Sequence, residues 1–114
     1  MDHISLHFIQ RGEGEPLLLL HGNGEDSSVF SAQMDYFSPK YRVMALDTRG
    51  HGKSPRGTAP FSIETFAKDL LDFLDQQGLE KVHLLGFSDG GNIALTFALR
   101  HQERLLSLIL NGAD

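Results

Sequence analysis

The sequence predicts an α/β protein, with a mostly parallel sheet and helices on both of its faces. Three observations carry that expectation. Short runs that are apolar at nearly every position, Leu17 to Leu20, Val43 to Leu46, Val82 to Leu85 and Leu105 to Leu110, recur along the chain. Such runs suit strands that are covered on both sides, as in parallel sheets. Segments with helical periodicity lie between them, so the strands must be joined by crossovers that return them parallel. Finally, the first three runs each lead into a glycine-bearing loop, the third of which turns directly into a helix.

The elements follow in order. Ile4, Leu6 and Phe8 alternate with Ser5, His7 and Ile9, which reads as an edge or antiparallel strand. Arg11-Gly12-Glu13-Gly14 is a turn, and Pro16 admits the buried strand Leu17 to Leu20. After the loop His21 to Gly24, Asp26, Ser27 and Ser28 are candidate N-caps for a helix bearing Phe30, Met34 and Phe37, which Pro39 stops. Tyr41 to Leu46 is the third strand and Asp47 to Ser54 its loop, extended by Pro55, Gly57 and Pro60. Ser62 caps the clearest helix. Ile63, Phe66, Ala67, Leu70, Leu71 and Leu74 form its apolar face and Gly78 its C-cap. Val82 to Phe87 is a fourth strand and Asp89 to Arg100 a helix. That helix is apolar nearly all round and is therefore expected to be buried. Leu105 to Leu110 is the last strand. No interdomain linker or repeat interrupts the chain, so residues 1–114 are expected to form one domain.

Composition narrows the function. The net charge is -5, which disfavours nucleic acid or an anionic membrane as partner. There is no cysteine, so disulfides, thiolate metal sites and cysteine nucleophiles are excluded. The first residues lack a basic segment followed by an apolar one, and no apolar run approaches the roughly 20 residues of a membrane helix, so the expected location is cytoplasmic. The six histidines show no ligand spacing, and no metal is expected.

The chemistry lies in the loops, because an open α/β sheet binds ligands beyond the carboxyl ends of its strands. Gly86-Phe87-Ser88-Asp89-Gly90-Gly91 places a serine on a strand-to-helix turn, crowded enough to need glycine on either side. It is accompanied by His21-Gly22-Asn23-Gly24 and by Asp47-x-Arg49-Gly50-His51-Gly52-x-Ser54. In this order and spacing the three motifs resemble the α/β-hydrolase superfamily, over essentially the whole chain. The resemblance implies a serine hydrolase acting on a small ester, thioester, lactone or amide without a cofactor. Ser88 would be the nucleophile, and the backbone N–H groups of Asn23 and Asp89 the oxyanion donors. Asp47 to Ser54 would be a structural loop. Asp89 is also a candidate for recognising a substrate amine, as in the similar Ser-Asp-Gly-Gly of some amino-acid ester hydrolases. Its plainer reading is an acid favoured by a helix N-terminus.

Within the superfamily the catalytic acid and histidine follow the nucleophile. Here only His101 does so, about 13 residues along a helix and roughly 20 Å away. Asp114, after the last strand, is a minor candidate acid. The chain therefore resembles the N-terminal half of such an enzyme, without its lid and C-terminal strands, and is expected to have little activity alone. The alternative is a non-catalytic ligand-binding or dimerising protein, since the last strand leaves an edge that invites self-association. His21 and His51 read as structural. His3, His7 and His83 read as strand or core residues. Ser88 as a plain helix N-cap, and Asp47 as the partner of Arg49 in its own loop, are the simpler alternatives to chemistry at those positions.

Overall fold

The structure, a computed structural model, describes residues 4–112. His3 and Asp114 lie outside them. Five strands form one sheet in the order β1-β3-β2-β4-β5. They are β1 (Phe8–Arg11), β2 (Glu15–Leu20), β3 (Tyr41–Leu46), β4 (Val82–Phe87) and β5 (Leu105–Asn111). Only β1 is antiparallel, pairing with β3, and the other ladders are parallel. The edge strand starts at Phe8 rather than Ile4. The residues before it are held differently, with His7 receiving a bond from the Asp47 N–H and giving one to the Ser54 hydroxyl. The alternation was nonetheless meaningful, since Leu6 is buried and Ile4 and Phe8 pack beside it.

The helices are α1 (Ser31–Phe37), α2 (Ile63–Gln76) and α3 (Asp89–Arg100). A 3-10 turn, Ser27–Phe30, capped by Asp26, precedes α1. One face of the sheet is covered by α2 and α3, through Leu70, Phe73, Leu74, Ile93 and Phe97. The other is covered by Phe30 and Met34 against Leu17, Leu19, Val43 and Ala45. β2 is central and apolar on both sides, which explains why its leucines do not alternate with polar residues. Pro16 fits at its start because the ladder to β4 begins only at Leu17.

Caps behave as the sequence indicates. The Ser62 hydroxyl accepts the Thr65 N–H, opening α2. At its other end Gly78 has φ +68°, and the N–H groups of Gly78 and Leu79 reach back to the Asp75 and Leu74 carbonyls.

Two expectations are corrected. α3 is not buried all round: Leu95 and Leu99 face outward, Leu99 at 72% exposure. Its inner stripe, Gly90, Gly91, Ile93, Ala94, Phe97 and Ala98, is the buried one. Nor does Asp47 pair with Arg49. Arg49 is 1% exposed and reaches Asp69 on α2 through two bonds of 2.8 and 2.9 Å. The loop after β3 is thereby fastened to a helix, since a buried guanidinium requires a buried carboxylate.

The topology positions the loops. From β2 the chain moves outward to β3, then crosses back over β2 to β4. The ends of β2 and β4 therefore flank the point where the direction of winding reverses, which is where open α/β sheets bind ligands. No helix among the described residues is long and apolar enough to cross a membrane.

Candidate active site

Ser88 sits at that point, between the end of β4 and the start of α3. Its φ is +54° and ψ -117°, the only positive φ of a non-glycine residue among those described. Such a conformation costs about 1–3 kcal/mol and persists only where its surroundings impose it. Here they do. The Ser88 N–H donates to the Asn111 carbonyl at 2.8 Å, and its carbonyl accepts the Gly91 N–H at 2.9 Å. Strand and helix then pass so closely that side chains are excluded. A Cβ on Gly86 would lie 2.7 Å from Gly91 Cα, and one on Gly90 would lie 2.6 Å from the His21 carbonyl oxygen. The hydroxyl is exposed and makes no bond to the helix N-terminus. The plain N-cap alternative is therefore not what this serine does, although it occupies the N-cap position.

The loop after β2 lies against it. A Cβ on Gly22 would stand 3.4 Å from Ser88 Cβ, so Gly22 lets the two backbones approach. The loop is tied down by His21 and Glu25. His21 is 2% exposed. Its Nε2 accepts the Thr48 N–H at 3.1 Å, which leaves the proton on Nδ1, where it is donated to the Gly22 carbonyl at 2.7 Å. Burial lowers the His21 pKa, the bond to Gly22 only partly opposing it. This neutral imidazole has both nitrogens engaged and is no base for Ser88. His51 is similar: Nδ1 donates to the Arg49 carbonyl at 3.0 Å and Nε2 accepts the Gly24 N–H at 3.4 Å. The N–H groups of Asn23 and Asp89 carry no hydrogen bond to the described residues.

Asp47 serves the architecture. It accepts the Ser27 N–H at 2.7 Å and the Lys53 N–H at 3.0 Å, joining the loops after β2 and β3. Burial alone would raise its pKa, but these bonds outweigh burial and hold it below the ordinary carboxylate value. Asp89 opens α3, half-buried beside Ser88. His101 caps the far end of α3, with its ring on Phe97. Among the described residues no three His, Cys, Asp or Glu side chains converge as a metal site.

Glu25 was not singled out by the sequence. Its Oε1 accepts the Gly22 N–H at 2.9 Å. The spacing Gly22-x-x-Glu25, as in a tight turn closed by its fourth residue, was the available signal. A second cluster was also unforeseen. His83 Nδ1 meets the Ser107 hydroxyl at 2.6 Å and Nε2 meets Glu15 Oε1 at 3.0 Å, joining β2, β4 and β5 near their amino-terminal ends. Only the strand register brings these three together.

Comparison with known proteins identifies the family and the fold. The family model described as alpha/beta hydrolase fold matches residues 15–114. The chain is 33% identical over 107 residues to an (E)-2-((N-methylformamido)methylene)succinate hydrolase of Acinetobacter baylyi, covering 93% of this chain and 41% of that one. It is 36% identical over 101 residues to a putative carbamate hydrolase, RutD, of Caulobacter segnis, covering 86% and 38%. Among solved structures, a thermophilic esterase from Thermogutta terrifontis superposes with TM-score 0.92 at 36% identity, over 97% of this chain and 41% of that one. An epoxide hydrolase from Bacillus megaterium does so with TM-score 0.90 at 30% identity, over 96% and 39%. The chain thus spans about two fifths of the length of these relatives.

Proposed function

The chain belongs to the α/β-hydrolase fold family, and from that membership we propose that Ser88 is the nucleophile of a hydrolytic acyl transfer. The substrate class is a small ester, thioester, lactone or amide. The observation that carries this reading is the backbone of Ser88: a strained turn, enforced by three glycines, that leaves an uncapped hydroxyl at the sheet's switch point. The relatives are named as hydrolases of differing substrates, which supports hydrolysis without choosing a substrate.

The proposed steps are those of acyl transfer. Ser88 Oγ attacks the substrate carbonyl carbon, and its proton passes to a base. The negative charge gathers on the former carbonyl oxygen, where the N–H groups of Asn23 and Asp89 would receive it. Each such donor is typically worth about 10²–10³ in turnover. Asp89 sits at the start of α3, whose dipole also favours that charge. Collapse expels the leaving group and leaves an acyl-serine, which water hydrolyses.

Among the described residues no histidine is placed to act as that base. His21 and His51 are engaged in loop bonds, and His101 is at the far end of α3. The 114 residues alone are therefore expected to turn over an activated ester slowly, since an unassisted serine is a weak nucleophile. With p-nitrophenyl acetate, a slow reaction that disappears on Ser88→Ala is the expected result. A reaction unchanged in Ser88→Ala would refute the nucleophile, and serine-dependent turnover at ordinary enzyme rates would refute the missing base.

A further inference from the structure

We propose that His21 and Glu25 are positioning residues that set the direction of the Asn23 N–H, the candidate oxyanion donor; this deepens the Ser88 reading and rests on it. The Asn23 N–H belongs to the same planar peptide as the Gly22 carbonyl, and in a trans peptide the two point in opposite directions. Whatever holds the Gly22 oxygen therefore aims the Asn23 hydrogen.

That oxygen is held twice. The His21 Nδ1–H donates to it at 2.7 Å, and the Glu25 N–H donates to it at 3.2 Å. The second bond closes a four-residue turn over Gly22, Asn23, Gly24 and Glu25, with Gly24 at φ +79° in the position that favours glycine. The preceding N–H, of Gly22 itself, is taken by Glu25 Oε1 at 2.9 Å. Glu25 thus grips both polar groups of Gly22, and buried His21 anchors the arrangement from beneath through the Thr48 N–H. With the carbonyl drawn inward to His21, the Asn23 N–H is turned to the open side of the loop. Ser88 stands next to this peptide, its Cβ 3.4 Å from where a Gly22 Cβ would be, and no described residue accepts the Asn23 N–H. The same packing explains why residue 22 is glycine. A Cβ there would meet Glu25 Oε1 at 2.9 Å and Ser88 Cβ at 3.4 Å.

Glu25 needs only an acceptor oxygen to do this, and its negative charge sits close to where the oxyanion would form. Glu25→Gln keeps the oxygen and removes the charge, whereas Glu25→Ala removes both. Glu25 is exposed, so neither change disturbs the core. The test is phosphonylation of the full chain by a fluorophosphonate, whose phosphoryl oxygen occupies the oxyanion position. Glu25→Ala is expected to lower the limiting rate at Ser88 about 10-fold, less than the loss of a whole donor, with half-saturation unchanged. Glu25→Gln should react at least as fast as the parent. In parallel, Gly22 amide exchange should quicken in Glu25→Ala alone. A Glu25→Ala rate within twofold of the parent, equal losses in both variants, or unchanged Gly22 exchange would overturn the positioning role while leaving Ser88 standing. No modification of Ser88 in the parent would overturn the nucleophile, and the positioning role with it.

Discussion

Ser88 adopts a backbone that glycine would adopt more easily, and this can be measured without any substrate. Replacing it with glycine relieves about 1–3 kcal/mol of strain and adds about 0.5–1 kcal/mol of chain entropy to the unfolded state. Ser88→Gly should therefore be more stable by about 1 kcal/mol, from the balance of these two. Ser88→Ala keeps the strain and should leave stability nearly unchanged. Urea midpoints at constant m-value distinguish them, and a destabilised Ser88→Gly would show that the turn is not strained. His21 makes a second prediction. Its folded pKa is lowered by burial below the ordinary 6.5, so the unfolded chain binds its proton first as the pH falls. The stability it contributes is complete above about pH 6.5 and is lost progressively below that. Asp47, also lowered, acts only below its ordinary 3.8, so the two windows are separate. Unfolding free energies measured between pH 8 and 5 should decline toward acid. A flat profile in that window would contradict a buried, neutral His21.

The element that makes the turn possible is α3, which approaches β2 and β4 so closely that its first turn must be glycine. Gly90→Ala would push a methyl group into the Leu20 and His21 backbone, which cannot rotate away. Overpacking of this kind costs about 1–3 kcal/mol, with the upper end expected where the obstacle is main chain. A lowered urea midpoint with an unchanged m-value is the expected outcome, and a neutral substitution would refute the close packing. At this scale the sequence was informative. β3, β4 and α3 have the boundaries that apolar runs and glycines indicate, because local pattern and fold agree there. The limits came from contacts distant in sequence. α3 was apolar enough to suggest complete burial, but only partners can cover a face, and none of the described residues covers Leu99. The Arg49 side chain passed over the acid in its own loop for Asp69 on α2, a choice made by tertiary packing. Likewise Glu25 carries no motif. Its role exists because the loop folds back on Gly22.

For the molecule as a whole, strand order does the decisive work. The reversal of winding beside β2 brings the loops after β2 and β4 together; the sequence placed both at strand ends, and only the family resemblance implied that they meet. The partners of Ser88 were not foreseeable in the same way. Its strain comes from bonds to Asn111 and Gly91, whose placement depends on β5 and α3. The edge of β5, with Leu106 and Ile109 exposed, completes the described sheet. The chain spans about two fifths of the length of its relatives. The most direct test is peptide mapping by mass spectrometry after treatment of the folded chain with a fluorophosphonate. After prolonged treatment, since an unassisted serine reacts slowly, one adduct on the peptide bearing Ser88, absent from Ser88→Ala and from urea-unfolded protein, is the expected result. A folded, monodisperse sample that takes up no label, or carries it on another serine, would contradict a nucleophilic Ser88 and favour a non-catalytic binding protein built on the same fold.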